Sequence, residues 1–174
     1  MHKWDRSTPT LHTNLRQSDV NMHDMHRQST IYPLMKIAKD QAQYSDCDRA
    51  KVGCAFMDYS SGRILVAGHN RAHAGNKGET CKTHGHLMID GHCSRTIHAE
   101  QACIILAAKH AIDLEGSVLI ITHTPCTICT ALLCEIGIKA VYIKEMYRPV
   151  HEAYLWFKNS NIKVFNWNFD KICY

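Results

Sequence analysis

The sequence predicts a single three-layer α/β domain built on a five-stranded mixed sheet. Three observations carry this: two early strand-like runs about a Ser-Ser-Gly turn, an alternation of helix-like and strand-like runs from there onward, and the size of the chain. At 174 residues and 45% hydrophobic, it can bury one substantial core and is short for two.

Residues 1–30 are poor in aliphatics and rich in His, Ser, Thr, Asn and Met, so they read as a polar N-terminal extension ahead of a domain spanning 31–174. The MHDMH segment within it offers metal donors by composition alone; the plainer reading is a polar stretch with incidental histidines. Ile31, Leu34, Met35, Ala38 and Ala42 fall near helical spacing, which predicts an amphipathic helix over 31–45. VGCAFMDY (52–59) and RILVAGHN (63–70) then form a β-hairpin about the SSG turn. TIHAEQACIILAAKHA (96–111) reads as a helix and SVLIITHT (117–124) as a buried strand. Pro125 suits the first position of a helix whose spacing at Ile128, Leu132 and Ile136 runs to a stop at Gly137. KAVYIK (139–144), HEAYLWFKNS (151–160) and IKVFNW (162–167) supply a strand, a helix and the fifth strand.

The N-terminal MHKWDRSTPT has no apolar run suited to a signal peptide, and no window approaches the roughly 18 apolar residues of a membrane span, so a cytosolic protein is expected. Thiols stay reduced in that compartment, and nine cysteines are then metal ligands or buried thiols rather than a disulfide framework. A formal charge of +4 without a basic block makes no case for nucleic acid.

Two short motifs carry chemistry. Cys126 and Cys129 in PCTIC lie three residues apart at the start of a helical run, so both sulfurs face one way and can share a metal. His98 opens another helical run. At such positions unpaired backbone N–H groups and the positive end of the helix dipole favour thiolates. Three protein ligands leave one tetrahedral position of a zinc ion open, as in catalytic rather than structural sites. Two thiolates offset the charge of the metal and weaken its effect on water, so a nearby base helps. Glu100, two residues after His98, is placed to be that base.

H-x-E followed by P-C-x-x-C is the signature of the zinc nucleobase deaminases. With CDRAKVGC, GHN, DGHCSRTIHAE, THTPCTIC and GIKAVYIKEMYR, between about Ile31 and Phe165, the chain resembles the cytidine deaminase superfamily and, within it, the deoxycytidylate (dCMP) deaminases of bacteria and phages. The resemblance implies a cytidine-deaminase-like sheet of five strands flanked by helices, conversion of dCMP to dUMP and ammonia, and a homohexamer. It makes His98, Cys126 and Cys129 the catalytic zinc ligands and Glu100 the proton shuttle. Asn70 would hold the sugar, against its plainer role of closing the hairpin. Arg49, His92, Tyr147 and Arg148 would meet the phosphate, although Arg49 and Arg148 read equally well as solvated surface charges.

The stretch CKTHGHLMIDGHC packs five potential ligands into thirteen residues. Some of the dCMP deaminases that the chain resembles hold a second, structural zinc, and by that resemblance Cys47, Cys81, His86 and Cys93 form its closed shell. His84 rivals His86, His92 rivals Cys93, and a polar loop with no metal is the alternative to both. Cys54, Cys103, Cys134 and Cys173 read as buried or incidental thiols. Where these enzymes usually carry GYNG, in a loop associated with triphosphate regulation, this chain reads GHNR, so His69 and Arg71 put allosteric control by dCTP and dTTP in question. The rival functions are a tRNA adenosine deaminase, a deaminase of dCTP or a 5-modified cytosine nucleotide, and an idle zinc-binding module. The weakly charged tail FNWNFDKICY speaks against the first and the presence of Glu100 against the last.

Overall fold

The computed structural model describes residues 17–76, 78–89, 91–146 and 151–168. A long helix, α1 (Gln17–Gln43), leads into the hairpin β1 (Gly53–Met57) and β2 (Ile64–His69). Small elements follow: β3 (Arg71–Ala72), a 3-10 turn (Ala74–Asn76), α2 (Cys81–His84), β4 (Met88–Ile89), β5 (His92–Cys93) and β6 (Thr96–Ile97). Then come α3 (Ala99–Lys109), β7 (Val118–His123), α4 (Thr127–Ile136), β8 (Ala140–Glu145), α5 (His151–Asn159) and β9 (Lys163–Asn166). The main sheet has the order β2-β1-β7-β8-β9, antiparallel across its first three strands and parallel across its last three. This is the mixed five-stranded sheet that the sequence predicts.

Side-chain alternation along the strands sorts the layers. Met57, Val118, Ile120, Ala140 and Tyr142 point to one face and bury Ile31, Leu34, Met35 and Ala38 of α1. Cys54, Phe56, Leu119, Ile121, Val141 and Ile143 point to the other, against Ala99 and Cys103 of α3, Leu133 of α4, and Tyr154 and Phe157 of α5. The strands in the middle are covered on both sides, which is why VLII reads as an unbroken apolar run rather than an alternating one.

Three details differ from the sequence-based expectation. The first helix reaches back to Gln17, so the MHDMH segment lies on its backbone. A helix anchored at one end by packing extends by adding one bond per residue fixed, which needs no apolar stripe to announce it. Two small ladders, β3 with β6 and β4 with β5, occupy a stretch with no strand period. The helix after β7 starts at Thr127 with Cys126 as its N-cap, and Pro125 precedes the cap rather than opening the helix. Along that helix, Ile128 (66% exposed) and Leu132 lie toward solvent, while Cys129, Thr130 and Leu133 form the buried side. The helix stops where predicted, with Gly137 in the left-handed conformation (φ 75°) and its N–H on the Cys134 carbonyl.

The close fit of α1 against β1 is set by Gly53. A Cβ there would stand 2.0 Å from the Ala38 carbonyl oxygen and 2.6 Å from the Ala42 nitrogen, both backbone atoms that no rotamer change can move. Gly53→Ala should therefore separate the helix from the sheet and cost about 3 kcal/mol, the upper part of the range for overpacked sites. Urea denaturation measures this, and a midpoint unchanged from wild type would show that the approach is not rigid.

Candidate metal and active site

Two helix N-termini meet beside the end of β7. His98 caps α3 with extended backbone (φ −70°, ψ 159°), and its N–H donates to Gln101 Oε1 at 2.9 Å. Cys126 caps α4 in nearly the same conformation (φ −72°, ψ 168°). The consequence is convergence: Cys126 Sγ and Cys129 Sγ each lie 3.4 Å from His98 Nδ1, and the three donor atoms fall within 4.8 Å of one another. A tetrahedron with ordinary Zn–S and Zn–N bond lengths has a mixed edge of about 3.6 Å, so these donors are spaced as zinc requires.

The protonation of the cluster fits the same use. The Cys129 hydrogen bond, with help from His98 and the backbone, pulls the Cys126 thiol down to about 4. Cys129 takes the opposite direction, pushed up by its bond to Cys126 and by burial. His98 is raised by Cys126. The pair holds one ready thiolate and a second that a cation would complete.

Glu100 is 3% exposed, and burial pushes its carboxyl upward from the ordinary carboxylate value. It lines a cavity of about 180 Å³ together with His98 and Cys126. A buried carboxyl lining the same cavity as these donors can both take and return a proton.

The same cavity is walled by Cys47, Arg49, Asn70, Gly91 and Cys93. Asn70 is buried, and its side chain stitches the loop before β1: Oδ1 accepts from Ser45 Oγ (2.7 Å) and Val52 N (2.9 Å), while Nδ2 donates to the Ala50 carbonyl (2.8 Å). These bonds use one of its two amide hydrogens. Arg49 Nη1 donates to the Gly91 carbonyl at 2.9 Å. His92 lies on β5, whose backbone alone is described at that position, and Tyr147 and Arg148 fall outside the described residues.

Cys47, Cys81, His86 and Cys93 form a second group whose donor atoms also lie within 4.8 Å of one another. Cys81 Sγ is 3.5 Å from Cys93 Sγ, and Cys47 Sγ is 3.8 Å from His86 Nδ1. The other ring nitrogen of His86 faces Asp48 Oδ1 at 3.3 Å, the outer-sphere carboxylate that fixes a metal-binding imidazole. His84 does not join the group; its Nδ1 lies 2.8 Å from Thr83 Oγ1. Burial and its cysteine neighbours push Cys81 up to about 12. Cys93, despite burial, is pulled down to about 7 by His86 and nearby amides. Of the thiols read as buried or incidental, Cys54 and Cys103 are fully buried with their sulfurs 3.5 Å apart, Cys134 is half-buried, and Cys173 lies outside the described residues.

Sequence reasoning missed His123, Thr124 and Thr96, which also line the cavity. His123 stands at the end of β7 between Thr122 Oγ1 (3.0 Å) and Glu145 Oε2 (3.5 Å). Its only signal was its place two residues ahead of PCTIC. Among the described residues no helix is long and apolar enough to cross a membrane.

Residues 28–145 match the sequence profile described as the cytidine and deoxycytidylate deaminase zinc-binding region. ComE operon protein 2 of Bacillus subtilis (strain 168) is 36% identical over 120 residues, covering 69% of this chain and 61% of that protein's length. The deoxycytidylate deaminase of Mycobacterium phage D29 is 33% identical over 117 residues, covering 63% of this chain and 90% of its own. Among solved structures, the dCMP deaminase of cyanophage S-TIM5 in complex with dCMP and dUMP superposes with a TM-score of 0.64 at 26% identity, covering 88% of this chain and 99% of that one.

The lowered Cys126 thiol makes a direct prediction. After chelation, iodoacetamide at pH 6 should alkylate Cys126 ahead of Cys129, because a group with its folded value near 4 is thiolate well below neutrality. Adding back zinc should protect both, as read by peptide mass spectrometry.

Proposed function

Since the chain belongs to the cytidine and deoxycytidylate deaminase zinc-binding family, we propose that it is a zinc enzyme that hydrolyses dCMP to dUMP and ammonia. The observation that carries this is the buried carboxyl of Glu100 opening onto the same cavity as the His98/Cys126/Cys129 donors. The deoxycytidylate deaminase name of the phage relatives and the dCMP- and dUMP-bound cyanophage enzyme support the choice of nucleotide.

His98, Cys126 and Cys129 would hold a zinc ion, which would supply Lewis acidity toward water. Glu100 takes a proton from the attacking water and delivers it to N3 of cytosine as the new C4–O bond forms. The same carboxyl then carries the second water proton to the departing amino group, so that ammonia leaves and the C4 carbonyl of uracil is made. Burial suits Glu100 to this cycle, because it raises the carboxyl above its ordinary value and so favours the proton-holding form that the delivery steps need. The remaining N–H of Asn70 faces the sugar, and Arg49, His92, Tyr147 and Arg148 receive the phosphate, whose charge of about −2 calls for fixed donors. A second zinc belongs to Cys47, Cys81, His86 and Cys93. The exposed apolar side chains Ile105, Leu106, Ile128 and Leu132 support self-association, with the hexamer as the expected state.

Glu100→Ala should keep its zinc and lose about a thousandfold in ammonia release from dCMP, within the span of general acid–base effects. A variant as active as wild type removes this mechanism. The wild type should release ammonia from dCMP and form no inosine in tRNA; the reverse result assigns the adenosine-deaminase alternative. Elemental analysis should find about two zinc ions per chain, falling to about one in Cys81→Ser.

A further inference from the structure

The second donor cluster does more than close a loop, because three consecutive residues tie one segment of chain to one hairpin. Cys47 brings its sulfur to His86 Nδ1 (3.8 Å) and to the Cys81/Cys93 pair. Asp48 meets the far nitrogen of the same ring at 3.3 Å. Arg49 reaches across to the hairpin tip, donating to the Gly91 carbonyl at 2.9 Å and standing 3.6 Å from Met88 Sδ. On the other side, His86 and Cys93 bracket the β4–β5 hairpin, whose base is closed by Ser94 N on the Leu87 carbonyl at 2.7 Å.

These ties form the wall of the cavity. Cys47, Arg49, Gly91 and Cys93 line it directly, opposite Glu100 and Cys126, whereas Cys81 does not line it. Among the described residues the hairpin has little else to hold it: Leu87, Met88 and Ile89 are about half exposed (49%, 45% and 52%) and bury little apolar surface. Its base has Arg95, which donates to the Gly85 carbonyl (2.8 Å) and pairs with Glu79 (3.0 Å). Between base and tip, the donor cluster is the attachment among the described residues.

We propose that the Cys47/Cys81/His86/Cys93 cluster is an affinity control for the nucleotide, its metal fixing the 47–49 segment against the 86–93 hairpin so that Arg49 and the outer pocket wall are set before substrate arrives. Cys81 is then a positioning residue that acts through Arg49. Groups held in place in advance lose less freedom on binding, so the effect falls on affinity more than on turnover. The inference rests on the nucleotide reading above for its ligand, but its structural half stands apart from it.

The test uses full-length, zinc-loaded protein. Cys81→Ser, with the His98 cluster still metallated by elemental analysis, should show faster hydrogen–deuterium exchange in both 46–50 and 86–93 while α3 stays protected. The Kd for dUMP by calorimetry should rise roughly tenfold, and that rise should exceed any fall in kcat. Arg49→Met, with both metals kept, should give a similar rise, and the double variant should bind no more weakly than the weaker single. Unchanged exchange in either segment, effects on Kd that multiply, or a fall in kcat larger than the change in Kd would each overturn the proposal. Should Cys81→Ser fail to fold, His86→Ala, at the exposed rim of the cluster, carries the same measurements. Wild-type protein without affinity for dUMP refutes the substrate reading alone, and the exchange measurement still decides this one.

Discussion

The site depends on soft donors held about as close as they can be without bonding. Two sulfurs stand 3.4 Å from one imidazole nitrogen, each delivered by a residue at or next to the start of a helix. Left alone, such a group would share protons unevenly, as the opposite displacements of Cys126 and Cys129 show. A divalent cation removes the competition. Because the donors come from the caps of α3 and α4, the cation would also lock those two helix starts to each other, beside the end of β7.

Around that point the sheet supplies the rigidity and the loops supply the walls. Thr122, within β7, accepts the Gly53 N–H through its hydroxyl at 3.1 Å, so the strand that leads to PCTIC is registered against the strand packed under α1. Asn70, just past β2, reaches three different groups of the 45–52 loop. The pocket is thus assembled from a stiff half, made of α3, α4 and β7, and a half made of short segments cross-tied by polar bonds and a second donor group. Chemistry requires the first half to be immobile, whereas recognition tolerates the second being adjustable.

The division also explains what the sequence could tell. HAE and PCTIC are local patterns, three and five residues long, and their spacing follows from how a helix begins, so their chemistry is legible residue by residue. The strands of the main sheet are legible for the same reason, since burial on two faces leaves a continuous apolar run. Cys47 is different: it lies 34 positions before Cys81, and no periodicity links them, so only likeness to known enzymes singles it out. The α4 helix was legible from the spacing of Ile128 and Leu132, but its inward face was not, because spacing alone does not say which stripe is buried. His123 belonged to no periodic pattern, being a single residue at a strand end next to PCTIC that lines the cavity only in the folded chain.

The donors of the two groups follow one another along the chain without overlap. All four residues of the Cys47 group are made before His98, and two of the three residues of the other group come from beyond β7. As the polypeptide leaves the ribosome, the Cys47 donor group is therefore complete in sequence while α4 is still unmade. The donors beside Glu100 come together only after β7 has been made and α4 has begun.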